Sequence, residues 1–291
     1  MSIEERAKQW IERLSANGMA RTAASQLYCG EYWSVVRELP AVARGAEVTA
    51  RIWICSAGYG LISPDSQISS YSATFSPYQR DSVTRGFDSE VRVSAAQKWW
   101  QTIAGWSGPK DGEPRSLSGI ARRYPRVPLL VVASPDYLQA LEQDLSKAVA
   151  GLLDYDLLLI VSAGMRTFGK FTDHLLPCDA RLQSCLGGTR GSLNIRIARR
   201  LLQYMGRGPI GLARQKTQLQ RLLSKQPPVE QYSRQVTTDE QVRNFISLQL
   251  RKNGIASRSL LLRKFRDSGR ACEQSRFARL YGDTVINEKI A

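Results

Sequence analysis

The segment from Cys55 to Ser76, CSAGYGLISPDSQISSYSATFS, holds the densest group of reactive side chains in the chain. A thiol such as Cys55 attacks electrophilic carbon once nearby positive charge lowers its pKa. Asp65 can take a proton from water as a general base, and Tyr59 can donate a hydrogen bond. One short stretch therefore offers a nucleophile, a base and a proton donor.

Each of these groups also has an ordinary structural explanation. The alternation along WICSAG makes Cys55 equally able to be a packed core thiol, and we favour that interpretation. Asp65 stands in a Pro-Asp turn, where aspartate is common. Asp81 is a second candidate base, but it can instead pair with Arg80 or Arg85. Of the two aspartates, Asp65 is the preferred base.

Three apolar runs share one pattern: residues 50–60, 128–137 and 156–165. Continuous aliphatic and β-branched stretches of this kind are typical of parallel strands buried on both faces. A serine stands near the end of each run, at Ser56, Ser134 and Ser162. Because ligands bind beyond the carboxyl ends of strands in open α/β sheets, we expect the three serines to meet at one site. The alternative is helix capping, which is the better interpretation for Ser134.

Residues 61–127 separate the first two predicted strands, and this connection is long for a parallel crossover. Long ordered loops over strand ends usually act as lids or binding loops. We therefore expect the connection to supply part of a pocket. Its aromatic residues Tyr71 and Phe75 can stack on a nucleobase, or they can form the hydrophobic core of a lid.

Positive charge is concentrated in the last third of the chain. Residues 190–291 hold 21 Lys and Arg against 7 Asp and Glu, whereas residues 1–189 hold 20 against 19. A cationic cluster attracts polyanions through counterion release, so we expect nucleic acid as the partner ahead of an anionic membrane surface. The nearly neutral first part must then carry any chemistry.

The C-terminal residues have the pattern of three short helices, at 239–252, after the capping residue Ser257, and at 271–281. The DSGR turn matches the brief connection of a helix-turn-helix, which makes residues 271–281 the groove-facing helix, with Glu273 and Gln274 also towards DNA. We expect the following DNA contacts: Arg190, Asn194, Arg258, Arg263, Lys264, Arg276 and Arg279. The alternative is a basic helical unit that docks on a protein.

The glycine-rich LGGTRGS leads into a predicted helix that begins near Ser192. Its backbone amides can hold a phosphate beside Arg190, although a glycine turn with an ordinary N-cap explains the motif equally well. The only histidine, His174, is expected at the surface, because its spacing to the nearest cysteines matches no zinc signature. We therefore expect neither a metal nor a cofactor.

The expected organisation has three parts: an α/β domain at 1–205, a basic linker at 206–238 and a helical DNA-binding domain at 239–291. The α/β domain should contain a mostly parallel mixed sheet with flanking helices, followed by a small all-helical, helix-turn-helix-like unit. The N-terminus is charged and amphipathic, and no apolar run reaches about 18 residues. Together with five irregularly spaced cysteines, these features predict a cytoplasmic protein that does not enter a membrane.

The Cys55–Ser76 segment resembles the YaaA-like proteins, in which a strand ends in Ser-x-x-Tyr-Gly-Leu ahead of a Pro-Asp turn and an isoleucine-led stretch into a tyrosine. The matching positions are Ser56, Tyr59, Gly60, Leu61, Pro64, Asp65, Ile68 and Tyr71. Upstream, ASQLYCGEYW is similar to the Leu-Tyr-x-Gly segment of relatives found in phages and genomic islands. The resemblance covers most of residues 20–205.

The resemblance implies a YaaA-like fold and a role in a defence-related DNA-modification system that installs 7-deazaguanine bases. The implied reaction hydrates the nitrile of 7-cyano-7-deazaguanine in DNA to the 7-amido form, alongside other proteins of the same system. The catalytic candidates are then Cys55, Ser56, Tyr59, Asp65 and Asp81. The base-binding candidates are Tyr71, Phe75, Ser134 and Ser162.

Membership of the fold alone does not select the nitrile reaction, because YaaA-like proteins in general are associated with DNA binding and oxidative stress. One alternative is therefore a non-catalytic YaaA-like protein that binds DNA. Another is a glycosylase or base-exchange enzyme, which would release a free base.

Overall fold

Two compact units, Met1–Pro227 and Pro228–Ala291, make up the chain in the computed structural model. The structure describes residues 1–16, 20–206, 208, 210–229, 234–253 and 257–290. The first unit extends past residue 205, because a helix in the expected linker packs Leu212 and Leu219 into its core. Residues 207, 209 and 230–233 of that linker lie outside the described residues.

Helices and short strands are mixed along the first unit, as the α/β class requires. Its elements are α1 (Ile3–Ser15), β1 (Thr22–Ala23), α2 (Ala24–Leu27), α3 (Glu31–Gly45), β2 (Ile54–Ser56), β3 (Gly60–Ile62), β4 (Gln67–Ile68), α4 (Ser89–Gly105), α5 (Leu117–Arg123), β5 (Leu129–Val132), α6 (Pro135–Gly151), β6 (Leu158–Val161), α7 (Gln183–Leu186), α8 (Leu193–Met205) and α9 (Leu212–Ser224). The second unit contains β7 (Gln235–Val236), α10 (Asp239–Asn253), α11 (Arg258–Asp267), β8 (Arg270–Ala271) and α12 (Gln274–Ile290).

The described strands form four two-stranded sheets, which differs from the single, mostly parallel sheet expected. β5 and β6 pair in parallel, as do β7 and β8, whereas β1 pairs with β4 and β2 with β3 in antiparallel fashion. The first apolar run turns back on itself, because Ser56 Oγ accepts hydrogen bonds from the backbone N–H groups of Gly58 and Tyr59. A hairpin therefore replaces the first of the three predicted parallel strands.

The strand β6 is buried on both faces, as its composition predicts. Leu158 and Ile160 belong to the apolar cluster that includes residues of α4, α5 and α6. Leu159 and Val161 belong to a second cluster that includes residues of α3 and α8. Because side chains alternate along a strand, helices cover both faces of the β5–β6 pair. In the described part of the chain, no helix is long and apolar enough to cross a membrane.

The second unit contains the three helices that the sequence predicts. Ser257 caps α11 by accepting a hydrogen bond from the N–H of Leu260, and Gly269 follows the helix with a φ of 77°. The connection from α11 to α12 differs from the brief turn expected, since it spans residues 268–273 and contains β8. α12 also runs beyond residue 281, to Ile290.

Candidate functional site

A cavity of about 710 Å³ lies in the first unit, between the segment 48–56, β5, α3 and α8. Most of its wall is apolar, and hydroxyl and amide groups interrupt that wall at a few points. The polar side chains that line it include Tyr28, Tyr32, Ser56, Tyr71, Ser134, Tyr137 and Asn194. A mostly apolar cavity with a few convergent polar groups is the usual form of a small-molecule site.

Three hydroxyl groups form a connected chain at this cavity. Ser56 Oγ lies 2.7 Å from the Tyr71 hydroxyl, which lies 2.6 Å from the Tyr28 hydroxyl. Two backbone N–H groups already donate to Ser56 Oγ and occupy its two acceptor positions. Ser56 therefore donates to Tyr71, and Tyr71 donates to Tyr28. The proton of Tyr28 is left at the end of the chain, where a ligand in the cavity can accept it.

The aromatic rings around this chain hold the hydroxyls in place. The Tyr28 ring stacks on Trp33 with centroids 4.4 Å apart and planes 9° apart. Tyr71 meets the ring of Tyr59 edge to face at 5.2 Å. A Cβ added at Gly58 would lie 2.5 Å from the Tyr71 ring, so only glycine allows this approach. The SAGYG sequence thus builds both the turn and the seat for Tyr71.

Burial keeps the two tyrosines of the chain in their neutral form. It raises the pKa of Tyr71 well above its usual value and raises the pKa of Tyr28 as well. A buried phenolate is less well solvated than an exposed one, so both residues keep their protons at neutral pH. The chain is therefore a set of proton donors.

Cys55 lines the same cavity as a neutral thiol. Burial, together with the negative charge of Asp144, raises the pKa of Cys55 to about 12. A thiolate is the reactive form of cysteine, so this environment does not activate Cys55 as a nucleophile. The packed-thiol interpretation of the WICSAG pattern agrees with the structure.

The two candidate aspartates lie away from the cavity wall. The exposed Asp65 pairs with Lys110 at 2.6 Å, which lowers the pKa of its carboxyl to about 2. Asp81 accepts a hydrogen bond of 2.9 Å from Ser72. Among the described residues, no Asp or Glu lines the cavity. The expected general base is therefore not beside the hydroxyl chain.

The strand-end serines converge only in part. Ser56 and Ser134 line one cavity, whereas Ser162 is buried and its hydroxyl has no hydrogen-bond partner among the described residues. Ser134 stands at the N-cap of α6, but its side chain makes no capping hydrogen bond. Ser162 lies outside the cavity because it follows the fully buried strand β6.

Two of the predicted aromatic residues lie behind the cavity wall. The Tyr59 hydroxyl accepts a hydrogen bond of 3.0 Å from the N–H of Ser69. Phe75 is buried and meets the ring of Tyr137 edge to face, with centroids 5.0 Å apart. Phe75 thus supports a residue of the cavity, as the lid-core alternative expects. Tyr71 is the predicted base-binding aromatic that lines the cavity itself.

His174 is buried, which corrects the expectation of a surface residue. Its Nδ1 lies 3.0 Å from the carbonyl oxygen of Leu158, and its ring packs against Tyr155 at 4.0 Å. Burial lowers the pKa of His174, so the ring is neutral and structural at pH 7.

Two residues near the start of α8 that were predicted to contact DNA lie in different environments. Asn194 is buried, only 6% exposed, and lines the cavity instead of the outer surface. Burial on the inward face of an amphipathic helix places it out of reach of a nucleic-acid backbone. Arg190 is exposed, in the turn that precedes α8.

A side chain of this protein fills the proposed phosphate site at LGGTRGS. Glu31 Oε1 accepts hydrogen bonds from the N–H of Thr189, the hydroxyl of Ser192 and the guanidinium of Arg196, at 2.8 to 3.0 Å. The backbone N–H of Thr189 and then Arg196 lower the pKa of Glu31 to about 2. This loop therefore binds an internal carboxylate and joins α3 to α8.

The Glu31 contacts predict a pH dependence of stability. The carboxyl pKa falls from 4.5 in the unfolded chain to about 2, so this stabilisation is complete above 4.5 and is lost as pH falls towards 2. We expect Glu31→Gln to flatten the fall in melting temperature over that range. Glu12→Gln, an exposed glutamate on α1, is the control. Identical pH profiles for Glu31→Gln and the wild type would contradict this account.

The cavity residues that the sequence analysis missed as site residues include Tyr28, Tyr32, Trp33 and Tyr137. Tyr28 stands in the Leu-Tyr-x-Gly segment, so a motif marked it without revealing its role. Tyr137 follows the Ser-Pro-Asp start of α6, and nothing in its local pattern distinguishes it from a core residue.

Comparison of the chain with protein-family models, curated proteins and solved structures finds no match.

Proposed function

We propose that this protein is a DNA-modification enzyme that hydrates the nitrile of 7-cyano-7-deazaguanine in DNA to the 7-amido form. The proposal rests on the resemblance of residues 20–205 to the YaaA-like proteins, and to DpdC of the 7-deazaguanine system among them. The observation that carries it is the Ser56–Tyr71–Tyr28 hydroxyl chain at the wall of a cavity.

The dimensions and lining of the cavity suit a planar base. A volume of about 710 Å³ lies within the usual range for ligand sites and leaves room for a heterocycle and a water molecule. Aromatic rings and aliphatic side chains dominate its wall, and such surfaces stack on or pack against extruded bases. Ser134, Tyr137 and Asn194 supply hydrogen-bonding groups for the edges of the base.

The proposed reaction adds one water molecule across the carbon–nitrogen triple bond. The oxygen of water bonds to the nitrile carbon while Tyr28 donates its proton to the nitrile nitrogen. In the same step the Tyr28 oxygen, which accepts the hydrogen bond from Tyr71, takes the surplus proton of the added water. The imidic acid then tautomerises to the amide, so water is the only co-reactant. Because burial disfavours a free phenolate, the two proton transfers must accompany the attack.

A second candidate is a non-catalytic protein that holds a modified base or a related small molecule. Two observations favour it: Cys55 is a neutral thiol, and no Asp or Glu is found among the described residues that line the cavity. Binding needs only the apolar wall and the hydrogen-bonding groups. Catalysis also needs Tyr28, at the end of the hydroxyl chain, to donate one proton and to take up another.

We propose DNA as the partner of the second unit, in a helix-turn-helix-like arrangement. The second unit, residues 228–291, carries 12 Lys and Arg against 7 Asp and Glu, and such a surplus favours polyanions. The unit would supply affinity through phosphate contacts, with little choice of sequence. The base would have to leave the duplex before the chemistry begins.

The test is incubation of the full chain with DNA that carries 7-cyano-7-deazaguanine, followed by mass spectrometry of the nucleosides. Hydration adds the mass of one water to the modified nucleoside and leaves the glycosidic bond intact. An unchanged nitrile with retained DNA binding would select the non-catalytic candidate. Release of a free base would instead indicate a glycosylase or base-exchange enzyme.

A further inference from the structure

Arg276 and Arg279, the two arginines of α12, make ion pairs within the second unit. Arg276 pairs with Asp239 at 2.6 Å and donates to the carbonyl oxygen of Thr237 at 2.8 Å. Arg279 reaches the other oxygen of the same carboxylate at 3.2 Å. Glu273 accepts hydrogen bonds from the N–H groups of Ser275 and Arg276 at the start of the helix. These contacts hold α12 against the start of α10 and engage both guanidinium groups with one carboxylate of the same unit.

The cations of α11 are in the opposite situation. Arg258, Arg263 and Lys264 are exposed, and in the described part of the second unit no carboxylate pairs with any of them. Leu261 and Phe265 of the same helix are buried. α11 therefore presents to solvent three cations that no described carboxylate of the second unit pairs with.

A groove of about 290 Å³ lies against α11. Arg263 and Arg266 line it, together with Ser259 and Gln274. Arg266 is anchored, because its Nη2 donates to the carbonyl oxygen of Cys272 at 2.9 Å. Asp267 contributes the one carboxylate among the described residues that line the groove.

We infer that this groove binds the phosphate backbone of duplex DNA, so that α11 faces the nucleic acid and the middle of α12 does not. The inference rests on the proposed function, which names DNA as the partner of this unit. Guanidinium groups beside neutral hydroxyl and amide donors are the usual set for a phosphodiester. This assignment replaces the groove-facing role that the sequence pattern gave to residues 271–281.

The inference is tested with the full chain and a fluorescently labelled duplex, by measuring anisotropy at several salt concentrations. Arg263→Gln should weaken binding about threefold and reduce the salt slope by about 1, because one phosphate contact is lost. The double variant Arg263→Gln/Lys264→Gln should weaken binding by about tenfold. Arg279→Gln is the matched control on α12 and should bind within about twofold of the wild type.

Asp267→Asn gives a test in the opposite direction. Asp267 is the one carboxylate among the described residues of the groove, and its negative charge repels the phosphates. Its removal should therefore tighten DNA binding about threefold. All four variants change exposed residues, and equal melting temperatures will show that they fold alike.

The outcomes separate this inference from the proposed function. A wild type that does not bind DNA overturns both. A wild type that binds DNA, with Arg279→Gln weakened and Arg263→Gln unchanged, overturns only the placement on α11. An unchanged or weaker affinity of Asp267→Asn also counts against the groove.

Discussion

Tyr28→Phe is expected to reduce the proposed nitrile hydration at least about 100-fold while DNA binding stays unchanged. The substitution removes the hydroxyl at the end of the Ser56–Tyr71–Tyr28 chain and keeps the ring that stacks on Trp33. A positioned proton donor contributes about 100-fold to 10,000-fold to a reaction of this kind. The measurement is the rate at which the amide appears in DNA that carries the cyano base, under single-turnover conditions.

Tyr32→Phe is the matched control for this prediction. Tyr32 lines the same cavity, but its hydroxyl is outside the hydrogen-bonded chain, so the variant should keep most of the wild-type rate. Ser56→Ala should slow the reaction less than Tyr28→Phe, because Ser56 acts on the proton of Tyr28 only through Tyr71. Equal rates for Tyr28→Phe and Tyr32→Phe would exclude the hydroxyl chain as the proton source.

Asp144→Ala is expected to lower the free energy of unfolding of the first unit by about 3 to 5 kcal/mol, since it leaves several buried donors without an acceptor. The buried carboxylate of Asp144, on α6, accepts hydrogen bonds from Trp100 Nε1 and from the N–H groups of Leu117 and Ser118, at 2.8 to 3.1 Å. It thereby joins α4 and α6 and caps α5. The melting temperature of the first unit should fall by roughly 10 °C.

The matched variant for Asp144 is Asp144→Asn. The amide keeps one acceptor oxygen and nearly the same volume, so its melting temperature should lie between those of the wild type and Asp144→Ala. Thermal unfolding followed by circular dichroism measures all three. A melting temperature of Asp144→Ala within about 2 °C of the wild type would contradict the structural role of this carboxylate.

Local pattern predicted the elements well where the physical cause is local. The aliphatic runs at 128–137 and 156–165 contain β5 and β6, and the serine at 257 begins α11 as a capping residue should. The alternation of Leu158 to Val161 between two apolar clusters follows from the period of a strand. The run at 50–60 has the same composition but forms a hairpin, because Ser56 bonds to backbone groups within its own turn.

The site was less accessible from the sequence, because its parts come from distant segments. Tyr28 and Ser56 meet only through Tyr71, which the glycine at 58 allows to approach. Asp65 has the residue type of a base, yet its turn projects it towards Lys110 and solvent. Residue type indicates what a side chain is able to do, while its neighbours in space decide whether it does so.

Local sequence patterns were sufficient to predict the α/β class, the periods of helices and strands, and the helix caps. They also revealed the concentration of cations near the C-terminus and a motif that contains two of the three linked hydroxyls, those of Ser56 and Tyr71. These properties depend on neighbours within a few residues, so a linear pattern contains them. Three other properties follow from the three-dimensional fold: Cys55 is a neutral thiol, Glu31 fills the glycine-rich loop, and Asp239 pairs with both arginines of α12. Desolvation and ion pairing depend on groups that are far apart along the chain and a few ångströms apart in space, and a linear pattern does not record that distance.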